Sequence, residues 1–541
     1  MTRLEEITAI VGLWCIAAET NGYLLVRNGQ SLLIDCPVDD ICTLLDSAGL
    51  PIPSVILHTQ VQEEHCREWA TLSQADVFVF AESEEVARRS AQYFADCATV
   101  WPPSREWENR GEERYGIGGC VTERPPTTAL NVAGVLRAGE TFHWQDIELD
   151  VMALPGSGKR AIGLYWRQHD ILFSGDLIHA GGCLVNFYDL ERSYGLPNGY
   201  AQLRESLAAV SALHPALLLP STGPIISDPA TDIARLSTQL DAFLQPPVFR
   251  TDDPVAQVNY PPLREFGRYR EVTPGVFQNT NFGNIILFVD AQGRGLMIDP
   301  DPCVWLTWEE NCREMHSDLD LLERETGVQR IEMALITHPH GDHLQYCDLL
   351  RERYGTQIVA TPDVGTLMAR ASSFPYPCLI DWYGFPFDHV HIDRCVPYDE
   401  QFFWNEIAIT PFPTPGHCFA HAGFFLNWQG INTVCVGDTI QYGAGPVGIP
   451  LPILYNDSAW PDHGTLVAVK NVLAMHPELV LCGHSQSFFD HDGVILREMQ
   501  RAGEIRERLA AELVHDGDLL RAMTPPGYDA IRPSRTMCPI S

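Results

Sequence analysis

The feature that most constrains this chain is that it writes one pattern twice. SGDLIHAGG (174–182) matches VGDTIQYGA (436–444), and LHPALLLPSTG (213–223) matches MHPELVLCGHS (475–485). Asp176 lies as far from Asp438 as Thr222 lies from His484, so no net insertion separates those landmarks. Upstream, GETFHWQDIELDVMALPGSG pairs with DEQFFWNEIAITPFPTPGHC, and TQVQEEH (59–65) pairs with THPHGDH (337–343). Four landmarks in one preserved order imply two tandem copies of a single domain.

Each half carries the same local signals. A strand pair closes on LLID (Asp35) or LMID (Asp299), a polar helical segment follows, and an apolar strand then enters a loop. A helix and a further strand come next (ADVFVFAES; GTQIVATPD), then hairpins, a late helix and a last apolar strand. Strands and helices mixed in this order predict an α/β fold, a layered αββα sandwich, in two tandem copies. The stretch LQPPVFRTDDPVAQVNYPPLREF holds two Pro-Pro pairs, which interrupt helix and strand alike. It divides the chain into a domain at 1–245, a linker at 246–268 and a domain at 269–541 that ends in a helical tail, HDGVILREMQRAGEIRERLAAEL. The first twenty residues, acidic at the start with a short apolar core, read as a first strand rather than a signal peptide.

Charge narrows the function classes. The formal net charge is −34 over 541 residues. Phosphate backbones need clustered Lys and Arg, and anionic membranes repel such a polyanion, so neither nucleic acid nor membrane is an expected partner. Sixteen cysteines are scattered without a small-scaffold framework, several of them in apolar runs (Cys435, Cys482). That usage suits reduced, buried thiols and a cytoplasmic protein. A monomer and a homodimer are both compatible with the sequence.

The chemistry concentrates in ALITHPHGDHLQ (334–345). A tight loop after a strand gathers His338, His340, Asp342 and His343 into one cleft. Neutral imidazoles with a hard carboxylate oxygen suit Zn²⁺, and Fe or Mn less selectively. Three distant residues strengthen the reading: His417, Asp438 and His484, each following an apolar strand at a Gly-marked turn. A second HxHxD stretch, DHVHIDRC (388–395), lacks the following His; Val390 and Ile392 alternate with His389 and His391 as in a half-buried strand, so it reads as structural.

These residues resemble the metallo-β-lactamase superfamily. Its HxHxDH signature is matched by His338-Pro339-His340-Gly341-Asp342-His343, and its later ligands by His417, Asp438 and His484. The resemblance implies the metallo-β-lactamase fold and a binuclear, zinc-type centre. His338, His340 and His417 would hold one ion, Asp342, His343 and His484 the other, with Asp438 bridging. It implies a hydrolase in which a metal-bound hydroxide attacks an acyl or phosphoryl centre, with Asp342 also relaying a proton. The first half has Gln60, Gln62, Glu64, His65, Ser157, Asp176 and Thr222 at the matching positions, too few ligands for that chemistry. The long form of tRNase Z resembles this layout of a dead first half and a live second half, but the acidic charge and the absence of a basic arm argue against it.

Two aromatic-rich insertions are expected to line the pocket, offering Trp382, Tyr383, Tyr442, Tyr455, Trp460 and His463 to a small molecule. No Lys or Arg stands out in either, which favours an ester, lactone, thioester or amide over a phosphate. Two other readings stay open: an iron-dependent oxidoreductase of the same fold, similar to persulfide dioxygenases, and a non-catalytic binding protein.

Overall fold

The computed structural model describes residues 2–67, 71–72, 74–90, 126, 128–190, 198–244, 260–280, 283–301, 308–371, 386–418, 420–440 and 464–523. The chain divides into two compact units. One contains the residues up to 244 together with 509–523 of the tail; the other contains 260–508.

The second unit is built on two sheets. Eight strands run in chain order from Arg264–Phe266 to Arg394–Cys395. The early ones are antiparallel, whereas Arg294–Ile298, Arg330–Leu335, Gln357–Ala360 and Arg394–Cys395 are parallel. Six more strands, Phe402–Trp404 to Phe488–Phe489, make the other sheet, in which Ile431–Cys435 and Leu479–Leu481 are the parallel pair. Strand alternation decides what each face meets. Ile286, Phe288, Leu296 and Ile298 face Phe402, Ile409, Phe424, Leu426 and Trp428 between the sheets. Leu287, Val289 and Met297 point the other way, into a cluster with Met315, Leu319 and Leu322 of the helix Trp308–Thr326. On the far side, Val434, Val436 and Val480 pack with Val469 and Val472 of the helix Thr465–Ala474 and with Ile495, Leu496 and Met499 of Val494–Leu513. Helix, sheet, sheet, helix is the αββα layering.

The first unit repeats this plan. Seven strands from Arg3–Glu6 to Val132–Leu136 end in the same parallel run, and five strands from Thr141–Trp144 to Leu217–Pro220 end in the same parallel pair. Leu25, Leu32, Ile34 and Leu57 meet Leu149, Val151, Leu164 and Phe173 between its sheets. Backbone conformations recur as well. Asp35 and Asp299, Gln145 and Asn405, and His214 and His476 all have positive φ at matching positions. Tail residues Leu513 and Ala522 accept backbone hydrogen bonds from Leu184 and Phe187, so this stretch completes the first unit.

One expectation fails in detail. Only Arg394–Cys395 of DHVHIDRC is a strand. Val390 is buried and His389 and His391 are exposed, as the alternation predicts, but the backbone pairs with its neighbour only at the end of the stretch. Among the described residues, no helix is long and apolar enough to cross a membrane.

Neighbouring phenylalanines test the layering. Phe402 lies between the sheets, whereas Phe403 is 56 % exposed. Phe402→Ala is expected to cost roughly 3–5 kcal/mol and Phe403→Ala within about 0.5 kcal/mol, read by denaturant unfolding. Equal costs would contradict the assignment of faces.

Candidate metal centre

The site grows from the C-terminal ends of the parallel strands, where α/β sheets usually carry function. Arg294–Ile298 runs into Asp299, whose φ is 46°. Aspartate tolerates this left-handed turn, which swings its carboxylate beneath the neighbouring strand end. Oδ1 accepts the Thr337 N–H at 2.8 Å and Oδ2 the Thr337 O–H at 2.7 Å. With its proton committed to Asp299, the Thr337 hydroxyl accepts from His338 Nδ1 at 2.9 Å. His338 Nε2 is thereby left as a lone pair, buried without a hydrogen-bond partner. Asp299 Oδ2 also lies 3.0 Å from His343 Nδ1, which turns His343 Nε2 toward Asp438.

Glycines bring the other loops close. A Cβ on Gly437 would lie 2.5 Å from Thr337 Oγ1 and 2.8 Å from His421 Nε2, and its φ is +48°. Only glycine lets the backbone before Asp438 pass there. A Cβ on Gly483 would strike Asp438 Oδ1, so the strand end before His484 has the same requirement. His417 follows Gly416, where a Cβ would meet the Thr465 backbone at 2.5 Å.

The result is two trios of ligand atoms. His338, His340 and His417 offer nitrogens within 4.8 Å of one another, and so do the nitrogens and carboxylate of Asp342, His343 and His484. Ligands about 2.1 Å from one tetrahedral ion stand roughly 3.4 Å apart, so this spacing suits a cation in each trio. Asp438 lies between them. Its Oδ2 is 3.2 Å from His343 Nε2, 3.3 Å from His484 Nε2 and 3.6 Å from His417 Nε2, while Oδ1 is buried without a hydrogen-bond partner. A third grouping, Asp299 with His338 and His343, also falls within that spacing. Asp299 is already engaged by both Thr337 donors, so it orients rather than ligates.

Electrostatics sort the histidines. Burial holds His338 and His340 far below the usual imidazole range, with neighbouring imidazoles adding to the effect. Burial likewise takes His417 down to about 4. Burial opposes charge on His343 too, yet Asp438, Asp299 and Asp342 outweigh it and raise its pKa to about 10. Burial works against ionising Asp342 and Asp438, but the surrounding histidines hold both carboxyls below their usual range. One trio therefore presents neutral nitrogens, and the other competes with a proton.

All seven expected metal residues thus lie together. Trp382, Tyr383, Tyr442, Tyr455, Trp460 and His463 lie outside the described residues. His421, whose ring stacks on His338 at 4.7 Å, is fixed by the Thr414 and Thr439 hydroxyls at Nδ1. Three participants do not emerge from the sequence. Asp299 stands there only as a strand end, and Thr337 only as part of a repeat. Asn284 carries no signal at all; its Nδ2 donates to the Asp342 carbonyl at 2.8 Å and its Oδ1 accepts the His484 N–H at 3.1 Å. The identical Asp and Thr in LLID/LMID and TQV/THP are the available clue.

A sequence profile of the metallo-beta-lactamase superfamily matches residues 280–484. This segment belongs to that superfamily. The match spans every residue of both trios and begins just before Asn284. No curated protein sequence matches the chain. Similar solved structures include a metallo-beta-lactamase family protein from Thermus thermophilus, 20 % identical, covering 43 % of this chain and 81 % of its own, with a TM-score of 0.33. Another is a metallo-beta-lactamase from Cronobacter sakazakii, 16 % identical, covering 46 % and 96 %, at 0.34. A beta-lactamase domain protein from Burkholderia ambifaria is 18 % identical, covering 44 % and 73 %, at 0.33.

The brace has a measurable consequence. Asp299→Asn withdraws the charge that turns His343 and weakens the anchor of Thr337, and should lower zinc affinity roughly 10–100-fold by calorimetry. An unchanged affinity would remove Asp299 from the account.

Proposed function

We propose that the second unit is a binuclear metallohydrolase acting on a small ester, lactone, thioester or amide. We further propose that the first unit is a copy of the same fold that has lost the ligands. The observation that carries the first reading is the pair of trios on either side of Asp438, with His338 Nε2 and Asp438 Oδ1 buried without a hydrogen-bond partner. Two divalent cations, zinc by the donor set, would supply a nucleophilic oxygen at neutral pH and polarise the carbonyl under attack.

The chain's own residues do the rest. His338, His340 and His417 would hold one cation and Asp342, His343 and His484 the other, with the Asp438 carboxylate between the two trios. Asp342, ionised and 3.0 Å from His484 Nε2 through Oδ2, is a carboxylate that accepts a proton from the attacking oxygen and returns it to the leaving group. Asn284 and the Asp299–Thr337 brace fix the ligands before substrate arrives, so little reorganisation accompanies the reaction.

Metal analysis joined to a substrate panel tests this. Purified protein should carry about two zinc ions per chain and hydrolyse p-nitrophenyl esters or lactones. His338→Ala should lower both metal content and kcat/KM, the latter by at least about 100-fold. Iron with oxygen uptake on a persulfide, or an intact fold that takes up no metal, would overturn it.

A pH prediction follows from the histidines. His343 must lose its proton to ligate, so affinity in its trio should rise about tenfold per pH unit from about 6 toward 10. The trio of His338, His340 and His417 has no proton to lose above about pH 5 and should bind independently of pH there. Zinc isotherms at about pH 6 and 9 separate the two; parallel shifts of both phases would contradict the assignment.

A further inference from the structure

The first unit keeps half of the machinery just described. Asp35, with φ 55°, ends the strand Gln30–Ile34 as Asp299 ends its own. It accepts the Thr59 N–H at 2.8 Å and O–H at 2.6 Å. His65 Nδ1 lies 3.3 Å from Asp35 Oδ2, and His65 Nε2 lies 2.9 Å from Asp176 Oδ2. Atom for atom this is the Asp299–Thr337–His343–Asp438 chain. Four positions have changed from imidazole to neutral polar groups, Gln60, Gln62, Ser157 and Thr222, while Glu64 stands where Asp342 stands in the second unit; Gln60 donates to Asp176 Oδ2.

Two carboxylates and one imidazole buried together need a positive charge. Asp35, His65 and Asp176 are each at most 4 % exposed. The groups that face them are His58, 3.5 Å from Asp35, with Thr59 and Gln60 from the loop after Val55–Leu57. From Leu217–Pro220 onward comes Ser221, whose hydroxyl lies 3.3 Å from Asp35 Oδ2; Tyr23 turns its hydroxyl away to the Pro220 carbonyl. Among the described residues, the contacts just named include no Lys or Arg. His65 sits between both carboxylates, one at each ring nitrogen, and Gln60 Nε2 also lies 2.9 Å from His65 Nε2.

We propose that the first unit is a proton site in place of a metal site: a permanently protonated His65, clamped between Asp35 and Asp176, supplies the charge that cations supply in the second unit. Burial opposes this charge, but Asp176 and Asp35 outweigh it and push the His65 pKa well above its usual value. The linkage has a definite sign. A raised folded-state pKa contributes stability fully below pH 6.5, lost only as pH rises through the folded value. Asp35, burial notwithstanding, is lowered by His65 and His58, so its contribution is present above pH 3.8 and lost in acid. The first unit therefore folds without metal, and its ligand losses are compensated rather than tolerated.

The test uses the full chain with isotopically labelled histidine. The His65 ring signals, assigned by their loss in His65→Gln, should be those of an imidazolium from about pH 6 to 9, unmoved by a chelator. If His65→Gln alone fails to fold, His65→Gln with Asp176→Asn serves for assignment. The single variant should lower the melting temperature by roughly 10 °C, and the double should regain part of that loss. A neutral His65 ring at about pH 8, or ring signals that shift on chelation, would overturn the proposal. So would a double variant as unstable as the sum of its parts. Because the reading is taken at His65, it stands or falls independently of whether the second unit binds metal or hydrolyses anything.

Discussion

A buried aspartate in a left-handed turn, bonded twice to a threonine on the neighbouring strand end, is the constraint on which both units depend. Asp299 and Thr337 form it in the second unit, Asp35 and Thr59 in the first. It ties two parallel strands at the edge where the loops emerge. It also fixes a histidine tautomer, because an acceptor at Nδ1 leaves Nε2 to point into the cleft. Everything chemical is attached to that edge. The brace is made of backbone and short side chains, so it exists before any ion or substrate arrives.

The two units show what the brace does without its ligands. In the second, imidazoles, most of them neutral, and three carboxylates converge and the balance of charge favours cations. In the first, Asp35 and Asp176 face His65, with His58 beside Asp35, and a set of amides and hydroxyls. Low-dielectric surroundings make an unbalanced buried charge costly, so buried aspartates without cations call for a proton nearby. Asp35 and Asp176 persist, and His65 lies against both.

Much of this is legible in the chain because its signals are local or doubled. HPHGDH announces itself through spacing alone. His417, Asp438 and His484 can be found because each ends an apolar run beside a glycine, and close backbone approach requires those glycines at Gly437 and Gly483. The layering follows from alternation, as Ile286 and Leu287 demonstrate by facing opposite cores. What sequence conceals are residues whose role depends on meeting in three dimensions. Asn284 reaches Asp342 and His484, neither of them near it in the chain, and nothing in NTNFGN distinguishes it. DHVHIDRC shows the converse: its alternation predicts a strand, but alternation sets which side chains are buried and does not by itself supply a ladder partner.

The central claim is geometric: two cations share Asp438 in the later unit and none occupies the earlier one. Anomalous diffraction from zinc-loaded crystals tests it most directly. The account predicts two peaks roughly 3.5–4 Å apart, on either side of Asp438, each against its own trio. No peak at Asp438, or an occupied ion among Gln60, Glu64 and Asp176, would contradict it.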